Sequence, residues 1–345
     1  MGNNMTSIRN LIDQYTSLHE SDENKRRLAL WDRPDEGIRG EMQWHGIPSS
    51  GIKSGEPMPV TVECQDKVWE DLLGLDLKQF FTDPDYYLEF YLRIKIRKFQ
   101  EFPDDTPLTM DIPLVFGVTH EAGMLGQEII LDNGDQPSFG KGSIVDESTK
   151  FPTEFDFSHN PYLTDIAIPF YQQIKTLAGS EFRVIFPQWY RGPQGVALYI
   201  RGFQEFSIDL YVNKALSHRI LRYVTDAAKA FYLWRQDYTG EPIRRGDLFN
   251  DDIPLMSPEM YTEFFLQYEL EMSDFFGGVY YWHSCGDITP HVNAVHDLTD
   301  IDIIDFGVTM ESKKAGISGL RRNQLLEIRV MAQNHIQECT EEESK

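Results

Sequence analysis

His283 and Cys285 stand one residue apart at the end of the apolar run Gly278-Val279-Tyr280-Tyr281-Trp282, in the segment His283-Ser284-Cys285-Gly286-Asp287. On extended backbone, residues two apart project to one side, so an imidazole nitrogen and a thiolate at this spacing can reach a single zinc ion. Taken alone the pair has a plainer reading, a histidine closing a strand and a cysteine packing as a small apolar group. Asp287 follows in the same loop and is a candidate acid or base. A second cluster, Asn250-Asp251-Asp252, follows the short run Asp247 to Phe249. Two adjacent carboxylates, of which one faces a site, could orient a ligand or take a proton; Asp252 and Asn250 are the candidates taken forward, against the ordinary role of cap or turn. His120 and Glu121 follow the run Ile112 to Val118, and Trp189, Tyr190 and Arg191 follow Phe182 to Phe186. Aromatic faces and a guanidinium could hold a planar or anionic substrate there, or pack the loop.

These candidates share a position: each lies just past a short apolar or β-branched run. The runs are Ile112 to Val118, Phe182 to Phe186, Asp247 to Phe249, Gly278 to Trp282, Ile301 to Phe306 and Leu325 to Met331, separated by stretches of helical periodicity. Strands alternating with helices predict a parallel sheet, and in such sheets chemistry gathers at the carboxyl ends of the strands. Helices are predicted over Gly202 to Asn213, Lys214 to Trp234 and from Ser257-Pro258-Glu259 to Phe275, the last with serine at the N-cap and proline at N1. The first 104 residues read as a mostly helical extension, with a hairpin over residues 5 to 33 and a break at Thr82-Asp83-Pro84; the barrel-forming part is expected from 105 to 345. Residues 121 to 160 carry several glycines and prolines and are expected to form a long binding loop, with a hairpin around Asn133-Gly134.

Charge narrows the partners. Lys and Arg number 32 against 55 Asp and Glu, a formal charge of −23, which repels nucleic-acid phosphates and anionic lipid and favours a small-molecule substrate. No run approaches the ~18 apolar residues of a membrane span. Three scattered cysteines, Cys64, Cys285 and Cys339, suit a reducing compartment, so the cytoplasm is the expected location. Nothing in the sequence sets an oligomeric state.

The stretch Leu248-Phe249-Asn250-Asp251-Asp252-Ile253-Pro254-Leu255-Met256-Ser257-Pro258-Glu259-Met260-Tyr261, followed by His283-Ser284-Cys285-Gly286-Asp287, resembles the uroporphyrinogen decarboxylase superfamily, as does Arg201-Gly202-Phe203. The resemblance covers about residues 105 to 340 and implies a (β/α)8 TIM barrel. It is closer to the zinc-dependent methyltransferases that act with corrinoid proteins than to the heme-pathway decarboxylase, whose arginine-rich loop near the N-terminus has no counterpart here. In that branch a His-x-Cys pair and a later cysteine bind zinc; His283 and Cys285 match the first two. Cys339 does not match the third by position, and its surroundings resemble the segment after the family's seventh strand, so the barrel is expected to lack its last β/α unit. Cys339 folding back as a substitute ligand is the alternative.

The leading expectation is therefore a zinc-dependent methyltransferase with a thiol acceptor or a corrinoid carried by a partner protein. One rival is a metal-free decarboxylase-like lyase in which Asp252 or Asp111 steadies charge on a polycarboxylated substrate; another is a non-catalytic accessory subunit. Substrate-binding candidates are Trp189, Arg191, His120 and Asp111. His291 and His296 are expected to be surface groups.

Overall fold

A computed structural model describes residues 2–31, 59–140, 142–295, 297–298, 300–306 and 325–327. The chain divides into two compact units, Met1–Lys141 with Asp156–Gln188, and Gly142–Phe155 with Trp189–Lys345.

In the first unit α1 (Gly2–His19) and α2 (Asp22–Leu28) form the expected hairpin. Ser21 caps α2 by accepting from the Asn24 amide, and the buried Asn24 side chain both donates to the Leu108 carbonyl and accepts from the Leu108 amide. Among the described residues, α3 (Asp66–Leu73), α4 (Leu77–Thr82) and α5 (Pro84–Glu101) come next. The break between the last two falls where the sequence placed it. The Asp83 carboxylate accepts from the Asp85 and Tyr86 amides, and Pro84, whose missing N–H costs nothing at N1, opens α5. After β1 (Asp111–Pro113) come α6 (His120–Met124), the small antiparallel pair β2 (Ile129–Ile130) and β3 (Ser138–Phe139), α7 (Ile168–Ala178) and β4 (Arg183–Ile185). The strands β1 and β4 pair in parallel, Ile112 opposite Val184. The expected long loop thus contains a helix and the hairpin over Asn133-Gly134, where Gly134 takes the positive φ of 78° that the turn requires. Helix α7 was not anticipated.

The second unit holds α8 (Pro193–Arg201), α9 (Phe203–Val212), α10 (Lys214–Thr239), β5 (Gly246–Phe249), α11 (Leu266–Phe276), β6 (Val279–Ser284), α12 (Val292–Val295), β7 (Ile301–Phe306) and β8 (Leu325–Glu327). Strands β5 to β8 form a parallel sheet in sequence order. Helix α11 is reached through Pro258–Met260, capped by Ser257, and a π turn over Tyr261–Phe265. Parallel register puts Phe249 opposite His283 and His283 opposite Asp305, and, one layer below, Asp247 opposite Tyr281 and Tyr281 opposite Ile303. Because side chains alternate along a strand, these six share one face, while Leu248, Trp282 and Ile304 share the other. The second face meets the helices: the Trp282 indole N–H donates to Glu269 on α11. On the free side of β5, Phe249 donates to the Tyr190 carbonyl and accepts from the Gly192 amide, so residues 190 to 192 extend the sheet. Among the described residues no helix is long and apolar enough to cross a membrane.

Strands alternating with helices agree with the expected α/β class. The end of the run Leu325 to Met331, His296, Cys339 and the expected loss of a last β/α unit lie outside the described residues.

Candidate functional site

The carboxyl ends of β5, β6 and β7 bring four side chains together. His283 is the fifth residue of β6 and buried; Cys285 lies just past the strand and is exposed. Their spacing on extended backbone works as the alternation rule requires, with Cys285 Sγ 3.1 Å from His283 Nε2. Asp251, two residues beyond β5, places Oδ1 3.0 Å from the same nitrogen and accepts the Cys285 backbone N–H at 3.0 Å. Behind the ring, Asp305 on β7 sets Oδ2 2.6 Å from His283 Nδ1, and the Tyr281 hydroxyl donates to that oxygen at 3.2 Å. The other Asp251 oxygen, Oδ2, accepts from Arg191 at 2.7 Å, and Arg191 in turn reaches the Tyr199 hydroxyl and lies over the Tyr199 ring.

Electrostatics follow from this packing. Burial alone would lower the basicity of His283, but hydrogen bonds to Asp251, Asp305 and Cys285 outweigh it and hold the imidazole well above its ordinary pKa. Burial pushes the Asp251 carboxyl up, yet the His283 hydrogen bond and the Arg191 charge overcome it, so Asp251 stays below its ordinary range. Partial burial and the neighbouring Asp251 charge raise Asp252 against the opposing Arg191 charge, and complete burial raises Asp305.

One imidazole nitrogen, one sulfur and one carboxylate oxygen from Asp251, His283 and Cys285 all lie within 4.8 Å of one another. That donor set, one ligand each of N, S and O, suits zinc, and a histidine whose remote nitrogen is held by a carboxylate is the usual support for such a ligand. The residues present therefore fit a zinc ion.

Several sequence candidates stand elsewhere. Asp252 is the neighbour of the carboxylate that meets His283; its Oδ2 lies near Gly195 and makes no hydrogen bond. Asn250 is fully buried with its amide unpartnered against Gly192, and its backbone N–H donates to the His283 carbonyl. Asp287 is exposed and accepts from the Thr289 amide and hydroxyl, the geometry of a turn. Trp189 is buried, donating to the Arg191 carbonyl and packing on Phe231. Asp111 opens β1, and Arg183 grips both its oxygens at 2.7 and 2.8 Å, so it anchors the strand pair. In the first unit His120 is buried, 3.1 Å from the Tyr162 hydroxyl and stacked on Phe116, and Glu121 is buried beside it. His291 is buried, contrary to expectation, with Nε2 2.8 Å from the Met256 carbonyl. Asp305 and Tyr281 were missed. A buried aspartate inside an apolar strand, Ile301-Asp302-Ile303-Ile304-Asp305-Phe306, is the signal that could have found the first.

Comparison with known proteins agrees with this architecture. A methyltransferase from Methanosarcina mazei has a similar fold, with a TM-score of 0.52 at 17% identity over 77% of this chain and 78% of that one. Among curated proteins none matches. The family model for uroporphyrinogen decarboxylase (URO-D) matches residues 76–326, which include β1, β4 to β7 and every member of the cluster around His283. The chain has an α/β fold of the TIM-barrel type and belongs to the uroporphyrinogen decarboxylase family.

Proposed function

We propose that the chain is a methyltransferase-like member of its family, in which Asp251, His283 and Cys285 hold a zinc ion that serves a thiol acceptor. The observation that carries the reading is the convergence of Oδ1, Nε2 and Sγ of these three residues within 4.8 Å. Asp251 supplies the third donor beside His283 and Cys285. When bound, zinc would supply Lewis acidity that keeps a thiol ionised at neutral pH.

The protein's own groups have separate tasks. Asp305, backed by Tyr281, fixes the His283 ring so that Nε2 faces Asp251 and Cys285. Arg191 holds the second Asp251 oxygen and so orients the first. Phe249 and Tyr281 flank the ring and limit water on that side. A corrinoid carried by a partner protein as methyl source belongs to the same proposal, drawn from the sequence resemblance, and a cytoplasmic location is proposed from the few scattered cysteines.

Metal analysis of the purified protein beside Cys285→Ala and Asp251→Ala tests it, together with demethylation of methylcobalamin by added thiols. Zinc bound by the parent and lost from both variants, with thiol-dependent demethylation that follows the zinc, is expected. A parent that binds no zinc when it is supplied overturns the metal centre.

A further inference from the structure

Glu269 lies on α11, fully buried behind β6. Both of its hydrogen bonds fall on one oxygen: the Tyr261 hydroxyl donates at 2.8 Å and the Trp282 indole N–H at 3.2 Å, while Oε1 has no hydrogen bond. Each donor leads toward a member of the cluster. Trp282 directly precedes His283 on β6. Tyr261 opens the π turn that follows the loop carrying Asp251, and such turns recur at functional sites.

The loop between Asp251 and Tyr261 is stiff enough to pass a displacement on. Its backbone N–H groups close on themselves, Ile253 donating to Asn250, Leu255 to Asp252 and Met256 to Ile253. Its far end is tied to the segment after Cys285: His291 Nε2 stands 2.8 Å from the Met256 carbonyl, and the His291 ring meets the Tyr261 ring edge-on with centroids 6.1 Å apart. The two loops also touch beside the cluster. A Cβ on Gly286 would lie 2.4 Å from Pro254 Cγ, and the Cys285 amide donates across the gap to Asp251.

Charge can act along this path. Burial pushes the Glu269 carboxyl up to about 7 against the two donors. Once ionised it draws both donors harder, since a charged acceptor makes a hydrogen bond roughly twice as strong. Tyr261 is the titratable group that meets it, and Asp297 acts on Tyr261 in turn. From α10, Arg222 and Lys229 pair with Glu271 on another face of α11, and Asp247 of β5 lies on the opposite side of the sheet, opposite Tyr281.

We propose that Glu269 is a positioning residue: through Tyr261 and Trp282 its charge sets how firmly Asp251 is held against His283 and Cys285. Its purpose rests on the metal-centre reading above, but its test needs no metal. The link to follow is the Cys285 amide, which closes the gap between the loops. The chain has three cysteines, so labelling cysteine with nitrogen-15 gives three amide signals, and Cys285→Ala identifies the one wanted. In metal-free protein, solvent exchange of the Cys285 amide is expected to be at least about threefold faster in Glu269→Gln than in the parent at pH 8, and alike in the two at pH 6. Tyr261→Phe, which removes one of the two donors, is expected to fall between them at pH 8. Zinc affinity, measured by chelator competition, is expected to follow the same pattern. Exchange that Glu269→Gln leaves unchanged at pH 8, or quickens equally at pH 6 as the loss of a merely structural contact would, overturns the proposal, as does a zinc affinity that the variant leaves unaltered at pH 8. A parent that binds no zinc overturns the metal centre alone, and the amide exchange then decides whether Glu269 positions the cluster.

Discussion

The Asp305 carboxylate lies 2.6 Å from the far nitrogen of the His283 ring, and both side chains are buried. A metal-binding histidine depends on such a partner, because the group on the remote nitrogen selects the tautomer and fixes the ring plane. Replacing Asp305 by Asn is therefore expected to weaken zinc binding by about 10- to 100-fold while every ligand stays in place. Tyr281→Phe, which removes only the donor to Asp305, should do less. Competition against a chelating dye measures both, and an unchanged affinity in Asp305→Asn would detach Asp305 from the site.

Asp251 and Asp252 are neighbours with opposite prospects. The first touches His283, Arg191 and the Cys285 amide; the second faces Gly195. Alanine at 251 is expected to abolish stoichiometric zinc, and alanine at 252 to leave zinc content within a factor of about two, because only the first removes a donor atom. Metal analysis decides it. Zinc lost equally from both variants would mean that the turn as a whole, rather than one carboxylate, sustains the site.

The same two residues mark where the sequence stops being legible. Inside β6 the alternation of side chains fixes direction, so His283 and Cys285 could be placed on one side from spacing alone. Past the end of β5 no periodicity survives, and a shift of one residue exchanges Asp251 for Asp252. Asp305 was hidden differently: its strand was legible, but its role comes from a register with β6 that no local pattern encodes. Helix α8 went unread because Gly192-Pro193-Gln194-Gly195 reads as a loop, although Pro193 at N1 opens the helix and Val196, Ala197, Leu198 and Ile200 bury its interior. Tertiary packing, not propensity, sustains that helix.

Gly246 begins β5 against α11. A Cβ there would stand 2.2 Å from the Phe276 ring, and neither a strand start nor a buried ring can yield cheaply. Gly246→Ala is expected to destabilise the fold by about 1–3 kcal/mol, read as a lower urea midpoint. Adding Phe276→Leu should restore part of the loss by making room. A single variant as stable as the parent would show that α11 moves freely at this contact.

Glu269 carries the clearest expectation for pH. It is fully buried on α11, and one oxygen accepts both the Tyr261 hydroxyl at 2.8 Å and the Trp282 indole N–H at 3.2 Å. Burial nevertheless dominates and pushes the carboxyl up to about 7, against 4.5 for an ordinary glutamate. Between those values the folded chain keeps a proton that the unfolded chain has released, so each unit of rising pH favours unfolding by about 1.4 kcal/mol from this group. The contribution is fully present below pH 4.5 and gone once pH passes about 7, a loss of roughly 3 kcal/mol. Glu269→Gln has the shape of the protonated form and cannot ionise. Urea unfolding at pH 5 and pH 8 should therefore show a smaller fall for the variant than for the parent, with other groups cancelling in the difference. Equal falls would mean that Glu269 is ionised in the folded chain across this range, with the Tyr261 and Trp282 donors sufficient to hold the charge.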